Sequence, residues 1–180
     1  MDTNQLIIRP EQPKDYDAID RLNQLAFNQP NEAELVRRIR ASEDYIPDIS
    51  FVAEYQGKII GHILLSFVDL VGENTFKILC LAPLAVLPDY QNQGVGSTLV
   101  KASLEGAEAK AEALVVLVGH SWFYPKFGFK PAIHCQIKHP FPVPEEAFMV
   151  KPLSHYHPQY RGTVRYPPAF MLEELLPPST

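Results

Sequence analysis

One stretch of the chain combines residue types and spacing that suit anion chemistry. It reads Leu84-Ala85-Val86-Leu87-Pro88-Asp89-Tyr90-Gln91-Asn92-Gln93-Gly94-Val95-Gly96. An apolar strand-like run stops at a proline, a polar turn follows, and two glycines open a helical pattern. From Gly94 to about Ala111, Val95, Leu99, Ala102 and Leu104 are apolar, whereas Lys101, Glu105 and Glu108 are polar. The turn therefore lies at a helix N-terminus, where the first N–H groups lack partners and carry a partial positive charge. A pyrophosphate fits such a place without a lysine, and glycine lets the backbone come close to its oxygens. The expected cradle runs through Gln91, Asn92, Gln93, Gly94, Val95, Gly96 and Ser97.

Other glycine-rich phosphate motifs fit this turn less well. A P-loop needs Gly-Lys-Ser/Thr, and here Ser97-Thr98 follow Gly96 directly. A dinucleotide fingerprint needs a third glycine and a βαβ unit near the start of the chain. On the Gly-x-Gly pair alone, a glycine-softened helix start with no ligand stands beside the phosphate reading. Elsewhere, His155 and His157 form an H-x-H pair with no further ligand close in sequence, so no metal site is expected. Cys80 and Cys135 do not make a disulfide framework and read as small buried hydrophobes.

The elements that position these residues can be read from periodicity and breakers. Leu6–Arg9 reads as a strand ended by Pro10. Pro13–Phe27 reads as a helix, with Tyr16, Ile19, Leu22 and Leu25 in one stripe. A second helix starts after Asn31, with Glu34 placed as in a capping box. Its Arg37, Arg38 and Arg40 form either a solvated face or a wall of a substrate site. Phe51–Tyr55, Gln56-Gly57 and Lys58–Val68 read as a β-hairpin. Phe76–Leu87 reads as a strand ended by Pro88. Ala113–Val118 reads as a strand buried on both faces. A short helix near Ser121–Lys126 and strands near Phe129–Lys138 and Phe148–Leu153 complete the pattern. The predicted class is α/β (α+β), a mixed, mostly antiparallel sheet with helices packed on it.

The 180 residues are enough for one domain with a full core. Ten of the 17 prolines lie in residues 131–180, so the last third is poor in helix. Residues 1–155 read as the main domain, and 156–180 as a Pro/Tyr-rich extension completing it. No apolar run approaches the roughly 20 residues that cross a bilayer, and the N-terminus lacks a basic-then-apolar signal. A cytoplasmic protein with no membrane partner is expected. A net charge of -5 argues against nucleic acid as the main partner.

The turn Gln91-x-x-Gly94-x-Gly96, after a strand ending in Val86 and Pro88, resembles motif A of the GNAT acetyltransferase superfamily. Phe123-Tyr124-Pro125-Lys126-Phe127-Gly128-Phe129 is similar to its second signature, a tyrosine followed by a Gly-Phe pair. The motifs stand in family order, with one helix and one strand between them. Together with Gly162-Thr163-Val164-Arg165-Tyr166-Pro167-Pro168-Ala169-Phe170, they most resemble the YhbS-like branch. The resemblance covers about residues 6–155 and implies the GNAT acyl-CoA N-acyltransferase fold with splayed central strands.

The resemblance also implies roles. Leu84, Ala85 and Val86 would lie along the pantetheine arm of acetyl-CoA, in the gap opposite Leu114–Val118, and a backbone N–H near Val86 would polarise the thioester carbonyl. Residues Gln91 to Ser97 would hold the pyrophosphate. Tyr124 would be the general acid and would also touch the cofactor. A phenol near pKa 10 is matched closely enough to a thiol near 8.5 to protonate a departing thiolate. Many family members carry a carboxylate on the strand before motif A, but Phe76-Lys77-Ile78-Leu79-Cys80-Leu81-Ala82-Pro83 has none. Glu34, Asp69 and Glu73 are either substitutes for it or surface charges, and His120, just past the buried strand, is better placed as a base or a substrate contact. Ser121 stands where relatives often have a CoA-contacting asparagine.

The function implied is acetyl-CoA-dependent N-acetyl transfer to an amine of a small molecule or peptide, by direct attack in a ternary complex and without metal. The missing carboxylate supports the alternative of an acyl-CoA-binding sensor or regulatory module. The tail, with Tyr156, Tyr160 and Tyr166, is expected either to cap the substrate side or to pair with a second subunit as a homodimer. The acceptor amine itself has no signature in Phe27–Tyr45.

Overall fold

The computed structural model describes residues 1–172 of the chain. The last eight residues of the Pro/Tyr-rich extension, 173–180, lie outside the described residues. Strands β1 (Leu6–Pro10), β2 (Phe51–Tyr55), β3 (Lys58–Val71) and β4 (Thr75–Val86) pair antiparallel in sequence order. The β2–β3 turn places Gln56 at φ 50° and Gly57 at φ 76°, the backbone that a two-residue hairpin requires. Strand β5 (Leu114–Val118) joins β4 in parallel, after the crossover helix α3 (Val95–Ala109). The short β6 (Lys130–Pro131) and β7 (Ile137–Lys138), then β8 (Phe148–Pro152) and β9 (Gly162–Arg165), complete a nine-stranded sheet.

Helices cover both faces of this sheet because strand residues alternate. Ile63 and Leu65 face the core that holds Val95, Leu99 and Ala107 of α3. Leu64 and Val52 face Ile19 of α1 (Tyr16–Phe27) and Leu35, Val36 and Ile39 of α2 (Asn31–Arg40). In β5, Val115 and Leu117 join the α3 core, whereas Leu114 and Val116 join a second core capped by Ala132, Phe148 and Val164. The all-apolar run of β5 is thereby explained.

Several local expectations need correction. The predicted helix from Pro13 opens as a 3-10 turn over Pro13–Asp15 before α1 begins. Helix α2 starts at Asn31 itself, with Pro30 as its cap and no side-chain capping bond, so Asn31 and Glu34 form no capping box. Glu34 instead pairs with Arg37 and Arg38. The predicted helix near Ser121–Lys126 is a 3-10 turn over Tyr124–Phe127. The segment 129–138 is not one strand: a 3-10 turn capped by Pro131 and ended by Gln136 at φ 55° divides it into two-residue strands.

Part of the extension is built into the sheet. Thr163, Val164 and Arg165 of β9 pair with Val71, Leu70 and Asp69 of β3, and β9 also pairs with β7. A buried ionic cluster ties the end of β1, α2 and β3 together. The carboxylate of Glu11 accepts from Arg40 Nε at 2.8 Å, from Arg40 Nη2 at 2.9 Å and from the Tyr45 hydroxyl. His62 Nε2 stands 2.6 Å from Glu11 Oε2. Because a carboxylate only accepts, Nε2 carries the proton, and His62 Nδ1 is left buried without a partner among the described residues. Arg40 is thus a structural ion, and neither it, Arg37 nor Arg38 lines the large cavity described below.

Candidate active site

Strands β4 and β5 stay together for only two residue pairs, Leu79 with Val115 and Cys80 with Val116. Beyond them the strands diverge, while β4 remains paired with β3 on its other side. Leu87 N–H donates to Ile60 O at 2.9 Å, which sets the phase of the antiparallel ladder. By alternation, Ala85 spends its backbone on His62, whereas the backbone groups of Leu84 and Val86 turn away from β3 into the gap. Buried amides without partners are costly, so this gap suits a ligand with amides of its own. Of the three expected strand residues, Leu84 and Val86 border the gap and Ala85 does not.

The glycine turn closes one end of the gap. The Gln91 side-chain Nε2 donates to Val86 O at 3.0 Å, and Gln93 Nε2 donates to Asp89 O at 2.9 Å. The Gln91 N–H is itself used, donating to Pro88 O. By contrast, the N–H groups of Asn92, Gln93, Gly94, Val95, Gly96 and Ser97 make no hydrogen bond of good geometry to any described residue. Gly94 has φ 89°, a conformation that side-chain-bearing residues rarely adopt, and it caps α3 without a side-chain bond.

Gly96 is different. A Cβ there would lie 3.6 Å from the Phe123 ring, 3.8 Å from Leu84 and 3.8 Å from Val86, all ordinary contacts. Nothing in the chain's own packing demands glycine at 96, and Leu84, Val86 and Phe123 surround it. The unpaired N–H groups of the turn and the gap beside it have the polarity that suits a pyrophosphate with an amide-bearing arm.

Where the strands part, a cavity of about 410 Å³ opens. Leu81–Leu84 of β4, Val118 at the end of β5, Gly119, His120 and Tyr124 form one side of it. The Tyr124 ring is 7% exposed, and burial pushes its phenol up to about 12. Its seat depends on Gly119, because a Cβ there would come within 2.5 Å of the Tyr124 ring. The Tyr124 hydroxyl makes no hydrogen bond within the described residues, so it is a free donor in the cavity wall. Cys80 also lines the cavity, as a buried thiol pushed up to about 12.

The structure separates the proposed bases. Asp69 is tied to Arg165 and Lys77, Glu73 to Arg161, and Glu34 to its helix neighbours; none lines the cavity. His120 does line it, as an exposed ring stacked 5.5 Å from Trp122. Ser121 is exposed in the following turn. Two residues not singled out from the sequence also line it. Glu32, on the first turn of α2, has its carboxylate held by Gln29 Nε2 at 2.9 and 3.1 Å. His139 is packed among Phe141, Phe148 and Tyr166, and its Nδ1 lies 2.9 Å from Phe141 O. Burial holds the His139 imidazole below its usual pKa, so it is neutral at pH 7. Its one sequence signal was its place in the Pro/aromatic run Lys138-His139-Pro140-Phe141-Pro142, which carries no periodicity.

His155 and His157 lie in a surface loop, and among the described residues no group of three or more His, Cys, Asp or Glu side chains could hold a metal. No helix among the described residues is long and apolar enough to cross a membrane.

Residues 47–131 match the family model described as an acetyltransferase (GNAT) domain. The chain is 35% identical to the N-acetyltransferase YhbS of Escherichia coli K12 over 83% of its own length and 88% of that relative. It is 37% identical to the N-acetyltransferase YjhQ of the same strain, over 67% of its length and 68% of that relative. Among solved structures, Escherichia coli YhbS in complex with CoA superposes with a TM-score of 0.84 at 33% identity, covering 92% of each chain. A GNAT acetyltransferase from Brucella melitensis in complex with acetyl-CoA gives 0.75 at 29% identity, covering 92% of this chain and 97% of that one.

Proposed function

The chain belongs to the GNAT acetyltransferase family and is an acyltransferase, and on that premise we propose that it transfers the acetyl group of acetyl-CoA to an amine. The observation that carries this reading is the run of six N–H groups from Asn92 to Ser97 without acceptors among the described residues, set beside strands that part after Cys80 and Val116. The run binds the pyrophosphate. The backbone groups of Leu84 and the N–H of Val86 face the pantetheine arm, the Val86 carbonyl being held by Gln91, and a gap-facing N–H polarises the thioester carbonyl.

The amine enters as an ammonium and first loses a proton to a base. His139 fills that role better than His120, because it is neutral, half-buried and fixed by its aromatic neighbours. The amine nitrogen then attacks the carbonyl carbon. The C–N bond forms, the C–S bond breaks, and the sulfur takes a proton from the Tyr124 hydroxyl. The second nitrogen proton, made acidic by bond formation, replaces the one that Tyr124 gave up. The proton held by His139 passes to solvent, so the balance is ammonium plus thioester to amide, thiol and one proton. Burial of Tyr124 keeps it protonated at every working pH, as a donor must be.

Calorimetric titration with acetyl-CoA, beside a Gly96→Leu variant, tests the cofactor half of this reading. The Cβ of a new side chain at 96 meets only ordinary contacts, and a thermal melt of the variant separates lost binding from lost fold. Micromolar binding by the parent and none by the variant is the expected result. A parent that does not bind acetyl-CoA would reduce the turn to a helix start. Binding without acetyl transfer to any amine would favour a sensor module instead.

A further inference from the structure

The wall of the cavity that faces the strand gap comes from parts of the chain far apart in sequence: Phe27 at the end of α1, Glu32 and Leu35 in α2, Phe141 in the loop before β8, and Phe170 and Met171 after β9. Three of these six are phenylalanines, and Tyr166 adds a fourth ring beside His139. Among the described residues that line the cavity there is no lysine and no arginine. The single carboxylate among the described lining residues is Glu32, which forms no ion pair with any described cation and is held in place by Gln29.

We propose that the acceptor is a small primary amine on an apolar, aromatic body, free of carboxylate and phosphate, which Glu32 draws into the cavity as its ammonium. This inference rests on the acetyltransferase reading and names its acceptor class. The physical reasons are direct. An aromatic body replaces water along the phenylalanine wall, and apolar area is the main source of affinity in such a pocket. An ammonium meets an unpaired carboxylate, and its charge is favoured there. An amino acid or a sugar phosphate would instead bring an anion into a wall with no cation to pair it, facing Glu32, and a desolvated unpaired charge is strongly disfavoured. A peptide N-terminus would bring amide groups that the phenylalanine wall cannot satisfy.

The test compares 2-phenylethylamine, L-phenylalanine, ethanolamine and a short peptide with an N-terminal phenylalanine as acceptors for the full chain with acetyl-CoA. The first two share one body and differ by a carboxylate; the first and third differ in apolar area. The expected kcat/KM for 2-phenylethylamine exceeds that of each of the others by at least tenfold. Glu32→Gln is expected to raise its KM about tenfold while the KM for acetyl-CoA stays put, and to narrow the gap to phenylalanine. Phe141→Ala provides a second variant, expected to raise the KM for 2-phenylethylamine more than that for ethanolamine. Equal or better turnover of phenylalanine, ethanolamine or the peptide overturns the proposal. If no amine is acetylated at all, the acetyltransferase reading fails separately. Saturation-transfer NMR then decides the pocket alone: selective binding of 2-phenylethylamine sustains it, and binding of phenylalanine in preference, or of neither, ends it.

Discussion

The Gln91 side-chain amide donates a 3.0 Å hydrogen bond to the main-chain oxygen of Val86. That bond satisfies a carbonyl which the ladder phase turns into the gap, and it ties the end of β4 to the turn that begins α3. The glutamine of the motif therefore acts on the geometry of the site, whereas its own N–H is occupied by Pro88. Gln91→Ala should leave the fold intact and raise the KM for acetyl-CoA by about two- to tenfold, the worth of one hydrogen bond of roughly 0.5–1.5 kcal/mol. Steady-state kinetics with a circular-dichroism melt checks both halves; an unchanged KM would remove the tie from the cofactor site.

Tyr124→Phe removes a hydroxyl that has no partner within the described residues, so the melting temperature should hold or rise slightly. Loss of a positioned acid typically lowers kcat by about 100-fold or more, with little effect on the KM for acetyl-CoA. Because burial pushes the phenol up to about 12, the parent enzyme should show no loss of rate from Tyr124 ionisation up to about pH 11. A kcat in the variant equal to that of the parent at all pH values would exclude the phenol as acid.

The base should show itself on the acid side of the pH profile. A base must be neutral to act, and burial holds His139 below the ordinary imidazole value of about 6.5. The kcat should therefore rise with pH through a value below 6.5 and be flat by about pH 7. Glu32, His120, Tyr124, Tyr166 and Cys80 share the cavity with His139; Tyr124 and Cys80 are pushed to about 12 and Tyr166 is raised, so none of these three accounts for that limb. His139→Asn should abolish the limb and lower kcat, whereas His120→Asn and Glu32→Gln should keep it. A limb lost only in the His120 variant would reassign the base.

The chain holds one tryptophan, Trp122, which is 73% exposed and packs edge-on to Phe123. Phe123 in turn lies beside Gly96, 3.6 Å from where a Cβ would stand. Saturating acetyl-CoA should shift or quench the Trp122 emission, and the Gly96→Leu variant should lose that response. Unaltered emission at a concentration that saturates the calorimetric signal would place the bound ligand away from this turn.

The buried cluster of Glu11, Arg40, Tyr45 and His62 predicts sensitivity to acid. His62 is held below its usual pKa by burial, so the unfolded chain binds a proton that the folded chain does not once the pH falls below about 6.5. Glu11 is held well below the carboxylate range by its hydrogen bonds from His62 and Arg40, against the opposing effect of burial. Its contribution is present above about pH 4.5 and is lost as the pH falls further. Both effects have one sign: stability should decline from about pH 6.5 downward and more steeply below about 4.5. Glu11→Gln should cost about 3–5 kcal/mol by leaving Arg40 buried without its partner. Urea titrations at a series of pH values measure both; stability flat from pH 7 to 5 would contradict the assignment of a neutral His62.

Much of the fold and the anion cradle was legible in the residues themselves, because the relevant physics is local. Gly94 declares a positive φ, the spacing of Val95 and Leu99 declares a helix, and their adjacency declares unpaired N–H groups at its start. Alternation and breakers likewise marked the β2–β3 hairpin and the buried β5. Tyr124 was found through its motif neighbours Gly128 and Phe129, a pattern held within one turn.

The acceptor side was decided by tertiary structure alone. Glu32, His139 and Phe170 meet in one cavity although they are far apart in sequence, and no periodicity records a meeting of that kind. His139 sits in a proline-broken segment where neither the helical nor the strand period applies, so its sequence gives no side-chain direction. Glu34 and Glu32 are near neighbours on one helix. Only the packing of α2 against the sheet turns one toward solvent arginines and the other toward the cavity. The His62–Glu11 pair likewise exists because two strands and a helix end converge. Local sequence thus determined the glycine turn and its unpaired N–H groups, and the convergence of distant segments determined which side chains share the cavity.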